Sequence, residues 1–162
     1  MSVQEKIILG IDPGYARVGW GVIRANGNRL QCLGYGCFET PKDEEIAQRL
    51  AMINNELKII IDKFAPTDIA IEELFWGKNV TNAIRVAMAR GVIMVRAVEH
   101  TGRISEYKPT QIKQAVTGVG NADKTQVQFM VQRILGLCEK PKPDDAADAL
   151  AIAITHSSFS RR

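Results

Sequence analysis

The stretch IILGIDPG, Ile7 to Gly14, runs from apolar strand-forming residues directly into an acid and a Pro-Gly turn. A near-continuous apolar run is the pattern of a strand covered on both faces, so this strand belongs at the centre of a sheet with helices above and below it. Pro13 and Gly14 then turn the chain. Asp12 is thereby set at the tip of a buried strand. It serves there either as a turn cap or as a metal ligand or general base, and the stretch alone does not separate these.

Downstream, Val18 to Arg24 and Leu30 to Thr40 read as strands joined at Asn26-Gly27-Asn28, because Asn-Gly between two apolar runs is a strong hairpin signal. The first third is therefore three antiparallel strands. From Asp43 to Phe64 the residues Ile46, Leu50, Ile53, Leu57, Ile60 and Ile61 recur at helical spacing, and Pro66 stops the helix. A strand over Asp68 to Leu74 follows, then a helix over Asn79 to His100, a short strand over Ile104 to Tyr107 and a helix from Pro109 to Val116. The glycine-bearing loop TGVGNADK leads to a helix over Lys124 to Leu137, and after Lys140-Pro141-Lys142-Pro143 a last helix spans Asp144 to Ser158. Hairpin strands followed by alternating strands and helices imply an α/β fold with a mixed sheet flanked by helices.

With 162 residues, 46% of them hydrophobic, the chain fits a single domain over 1–162 with a sizeable core and no room for a second catalytic domain. No apolar window approaches the roughly 18–20 residues of a membrane span, and Met1 to Lys6 lacks a signal-peptide layout, so a cytoplasmic location and no membrane partner are expected. Cys32, Cys37 and Cys138 are odd in number and lack zinc-site spacing, which predicts buried free thiols. The net charge of +3 neither demands nor excludes a polyanionic partner, because a small total can hide a one-sided distribution.

The acids are more informative. The run Ile69-Ala70-Ile71 ends in Glu72 and Glu73, and alternation along a strand lets only one of them face a shared site. Which one stays open at this level. In the last helix, Asp144 and Asp145 occupy the first turn, where carboxylates complement the helix dipole. Asp148 is enclosed by Ala146, Ala147, Ala149, Leu150, Ala151 and Ile152, an environment that costs a carboxylate several kcal/mol unless it is paired, metal-bound or protonated. Asp145, three residues earlier, shares its face. Taken together, Asp12, one of Glu72 and Glu73, Asp145 and Asp148 form an oxygen-only set suited to Mg2+ or Mn2+. Two such ions about 4 Å apart activate water and stabilise the leaving oxygen in phosphodiester cleavage.

The motifs IILGIDPG, VGWGVI, AIEELFWGKN, Ala89-Arg90-Gly91, GVGNADK and DAADALAIAITH occur here in order along nearly the whole chain. In that combination the chain resembles the bacterial Holliday-junction resolvases of the RuvC family. The resemblance implies a ribonuclease-H-like fold and a homodimer that nicks four-way DNA junctions symmetrically with two Mg2+ per active site, Mn2+ substituting. It also implies a part in recombination and repair beside the RuvA-RuvB branch-migration complex. It carries catalytic and metal-binding roles onto Asp12, Glu72, Asp145 and Asp148, choosing Glu72 over Glu73.

The same resemblance makes Lys113 and Lys124 DNA contacts near the scissile phosphate, with Lys124 also offsetting charge in the transition state. Phe75 becomes an aromatic contact at the junction centre, and Lys78 is grouped with the DNA-binding residues. Read alone, each lysine is an ordinary surface residue and Phe75-Trp76 an ordinary core pair. The stripe Ala83, Ala87, Gly91 and Val95 permits close helix contact, either within the chain or, as the resemblance suggests, across a dimer. Sugar kinases and actin-like ATPases share an IDPG-type strand, but they need two large lobes, and no GxxxxGK[ST] loop is present.

Overall fold

The computed structural model describes residues 4–74 and 79–160. Five strands form one mixed sheet: β1 (Lys6–Asp12), β2 (Arg17–Asn26), β3 (Arg29–Glu39), β4 (Asp68–Glu72) and β5 (Ser105–Tyr107). Their spatial order is β3-β2-β1-β4-β5. The first three pair antiparallel as the hairpin pattern requires, and β4 and β5 add in parallel beyond β1. Gly27, with φ at 58°, supplies the left-handed residue of the two-residue β2–β3 loop.

The helices are α1 (Ile46–Phe64), α2 (Val80–Thr101), α3 (Pro109–Thr117), α4 (Lys124–Leu135) and α5 (Asp144–Phe159). α1 and α2 cover one face of the sheet over Leu9, Ile11, Val18, Val22, Ile69 and Ile71. On the other face α5 lies against β1 and β2, with α3 and α4 outside it, around Ile8, Ile23, Ala70, Leu150 and Ile152. Consecutive β1 residues therefore enter opposite cores, which is why IILGI reads as unbroken apolar sequence.

Three expectations shift. α1 begins at Ile46, since Asp43 to Glu45 lie outside the hydrophobic stripe and form part of the approach loop. β4 ends at Glu72 rather than Leu74, because β5 offers it partners only as far as Tyr107. Cys32 and Cys37 are half-buried and Cys138 is exposed, so the thiols are free without being buried. Among the described residues no helix is long and apolar enough to cross a membrane.

The glycines of β1 and β2 determine how α5 sits. A Cβ on Gly10 would collide with the carbonyl oxygen of Ala149, and one on Gly19 with that of Asp145. At Gly21 it would reach within 2.7 Å of the Leu150 side chain. The helix thus rests on strand backbone, and its alanines allow the close approach from the other side.

Candidate active site

Strand parity selects the glutamate. On β4, Ile69 and Ile71 enter the α1/α2 core and Ala70 the opposite one, so Glu72 faces α5. Glu73 lies beyond the strand, with its N–H donating to the Tyr107 carbonyl at 2.8 Å. On β1, Gly10 lies against α5, and Asp12, two residues on, shares its face.

The glycine seat brings in the helix acids. Asp12 lies opposite Gly19 in the β1–β2 ladder, and Gly19 is where the Asp145 backbone rests. Asp148 follows on the same helix face and, with Glu72, lines a cleft of about 320 Å3 whose walls include Pro109, Ile112, Lys113 and Lys124. Asp148 is one-third exposed at this cleft, so it is less enclosed than its alanine neighbours suggest.

Asp12, Glu72 and Asp148, gathered this way, resist ionisation together. Burial, then Asp148, Glu72 and Asp145, push the Asp12 carboxyl up to about 8, with Lys124 opposing. Burial and Asp148 raise Glu72, opposed by Lys113. Burial also raises Asp148 despite the nearby Lys124 ammonium.

Basic side chains answer part of this charge. Lys124, the first residue of α4, sets Nζ 3.3 Å from Asp148 Oδ2 and 3.6 Å from Asp144 Oδ2. Its helix start is fixed by Asp123 and Gln126, which exchange backbone-to-side-chain hydrogen bonds at 2.8 and 2.9 Å. Arg17, absent from the expected set, brings Nε 3.3 Å from Asp145 Oδ2 and 3.4 Å from Glu39 Oε1. The turn at Pro13-Gly14 was its signal, since β2 must start beside the tip of β1.

Among the described residues no three acids, thiols or imidazoles close on one point as a preformed metal cage. Asp145 and Asp148 instead lean on Arg17 and Lys124. The donor chemistry nevertheless fits a hard divalent cation, because the set is oxygen-only and its mutual repulsion is what such charge relieves. Phe75 and Lys78 lie outside the described residues, as does Trp76. Lys113 is half-buried in the cleft wall, so of the expected DNA contacts only it and Lys124 are placed beside the acids.

A family model described as crossover junction endodeoxyribonuclease RuvC matches residues 8–156. The chain belongs to the RuvC family. The RuvC of Heliobacterium modesticaldum is 53% identical over 148 residues, 91% of each chain. That of Moorella thermoacetica is 50% identical over 155 residues, 95% of this chain and 92% of the relative. RuvC of T. thermophilus in complex with Holliday junction substrate matches with a TM-score of 0.91 at 36% identity, covering 96% of this chain and 95% of that one. The ribonuclease-H-like fold expected from the motifs is thus the fold of the RuvC structure.

Proposed function

We propose that this RuvC-family chain is a structure-selective DNA endonuclease that resolves Holliday junctions by paired symmetric nicks, in recombination and repair. The observation that carries this reading is the meeting of Asp12, Glu72, Asp145 and Asp148 at one end of the sheet, beside Lys113 and Lys124. Kinship with crossover junction endodeoxyribonucleases along nearly the full chain supports it.

In this reading the four carboxylates hold two Mg2+ ions, with Mn2+ as substitute, and the bound ions supply activation of the attacking water and stabilisation of the leaving oxygen. The chain's own residues do the rest. Glu72 and Asp12 come from adjacent strands, so their separation is fixed by the sheet. Lys113 and Lys124 hold the scissile phosphate's neighbourhood, and Lys124 offsets charge gathering on the phosphoryl oxygens. Water attack forms one P–O bond as the bridging P–O bond breaks.

Symmetric cleavage calls for two sites related by a two-fold axis, and the outer face of α2 supports a homodimer. Val80, Ile84, Met88, Val95 and Val98 are exposed along it, and a Cβ on Gly91 would meet nothing within 4 Å. Ala83 is buried, so the small-residue stripe is shared between packing in the chain and this outer seam. Family resemblance alone supports the RuvA-RuvB complex as a partner, and a cytoplasmic location accords with action on DNA.

The test is to incubate the protein with a four-way junction, a linear duplex and an RNA–DNA hybrid, with and without Mg2+. Paired nicks in the junction alone, only with the ion, are expected. Asp145→Asn and Glu72→Gln should each abolish cleavage while junction binding persists or tightens, because a negative charge facing DNA is removed. Unchanged cleavage in either variant removes that acid from the site.

A further inference from the structure

Past the Pro-Gly turn that follows Asp12, the chain buries Tyr15 beside α1 and α2. Two arginines sit over its ring. The guanidinium carbon of Arg49, from α1, is 3.8 Å from the ring centroid, and that of Arg85, from α2, is 5.5 Å away. Arg49 is 95% buried, and its Nε donates to Thr40 Oγ1 at 2.8 Å. Thr40 in turn donates to the Tyr15 carbonyl at 2.9 Å. Among the described residues neither arginine has a carboxylate within ion-pair distance, although Arg17, Arg90 and Arg96 all do.

Two permanent cations gathered on one ring without a counter-anion are unfavourable unless something negative arrives. The ring face offsets each by only about 0.5–2 kcal/mol. Burial makes an uncompensated guanidinium costlier still. Arg49 is locked from behind by Thr40, while Arg85 remains exposed and free to meet a ligand. The position also limits what that ligand is. Tyr15 is three residues from Asp12, so its Cα lies within about 11 Å of that acid's along the chain, and the arginines stand about a side chain's length further out, over its ring.

We propose that Arg85, braced through the Tyr15 ring by Arg49, forms a phosphodiester-binding subsite that holds the DNA strand a few nucleotides from the scissile position, on the α1/α2 side of the sheet. This rests on the reading of the chain as a DNA nuclease and adds to it a backbone contact remote from the acidic cleft. Arg85 is a positioning residue: it fixes the register of the strand and takes no part in bond breaking. A guanidinium fork suits phosphate, and because every nucleotide carries one, the subsite is indifferent to sequence.

The test is equilibrium binding to a four-way junction and to a linear duplex across a salt series without divalent ions, for the wild type, Arg85→Ala and Arg85→Lys. Each phosphate contact contributes about 0.9 to the slope of log affinity against log salt. Arg85→Ala should lower the slope by that amount, so that its deficit shrinks about 3- to 4-fold between 50 and 200 mM salt. Arg85→Lys should restore the slope. Single-turnover cleavage at saturating protein should show cuts spread to neighbouring positions in Arg85→Ala. An unchanged slope and cut position in Arg85→Ala, with wild-type binding intact, overturns the subsite. A lowered slope on both DNAs in a protein that shows no junction preference would keep the subsite and overturn the junction reading instead.

Discussion

Asp12 takes up a proton on folding. Its carboxyl titrates near 3.8 in the unfolded chain and near 8 in the fold, where burial and the acids Asp148, Glu72 and Asp145 oppose its charge. A raised folded value means that the stabilising contribution is complete below about pH 4 and is lost as pH rises through 8. In a chelator, the thermal midpoint should carry this downward component between those limits, and Asp12→Asn should remove it. Adding Mg2+ at pH 8 should recover stability in the wild type far more than in the variant. Equal shifts in both would place the cation elsewhere. Asp68 behaves oppositely. Burial works against its charge, but hydrogen bonds from His156 at 3.1 Å and Thr67 at 2.9 Å outweigh it and lower its pKa. Its contribution is therefore present above its ordinary value and is lost as pH falls through the lowered one. At this scale Asp12 and Asp148 stand out in sequence because apolar surroundings make an acid conspicuous, and Asp145 only by its place three residues before Asp148. Arg49 and Arg85 do not, since a cation's partner depends on tertiary neighbours that no local pattern encodes.

Among the elements, α5 bears most directly on the site, and its seat can be tested by adding single methyl groups. Gly10→Ala and Gly19→Ala each press a Cβ into a helix carbonyl, so each should destabilise the fold by about 1–3 kcal/mol or more. Gly91→Ala on the open face of α2 should instead stabilise the folded chain by about 0.5–1 kcal/mol. Urea unfolding of the three variants distinguishes these signs. If Gly10→Ala and Gly19→Ala were neutral, helix and sheet would be further apart than described. The far end of α5 is tied by a different device. Tyr107 Oη lies 2.8 Å from His156 Nδ1, and His156 Nε2 lies 3.1 Å from Asp68 Oδ1, so β4, β5 and α5 share one buried chain of hydrogen bonds. The periodicity of DDAADALAIAITH showed a buried helix, and the strand alternation showed two possible glutamates. Neither reveals that glycines on two different strands align under the helix, because that follows from the β1–β2 register.

For the molecule as a whole, the acids lie at one end of the central strands and the exposed apolar seam runs along α2, so two copies joined there would each carry a site. Val95→Glu, at a residue 62% exposed, should leave the fold intact and shift the species in light scattering toward monomer. A dimer unaffected by it would have to use another face. A heterodimer of one intact and one Asp145→Asn chain should nick one strand and leave the junction unresolved. Both cuts in a single binding event would mean that one site serves both strands. The mixed sheet with helices on its two faces was readable from the order of hairpin, helix and strand signals, whereas pairing of β4 beside β1 had to come from the folded chain. The contact of α5 with bare strand backbone also sets how slowly this region opens. With helix backbone seated directly on strand backbone at Gly10 and Gly19, the amides of β1, β2 and the first half of α5 should not be freed one turn at a time. They should exchange with deuterium only when the entire chain unfolds, at a common free energy, while amides at the start of α2 exchange by local fraying. In such a protein the acids remain in place on every timescale shorter than global unfolding, and adjustment to a junction falls to the DNA and to the helices around them.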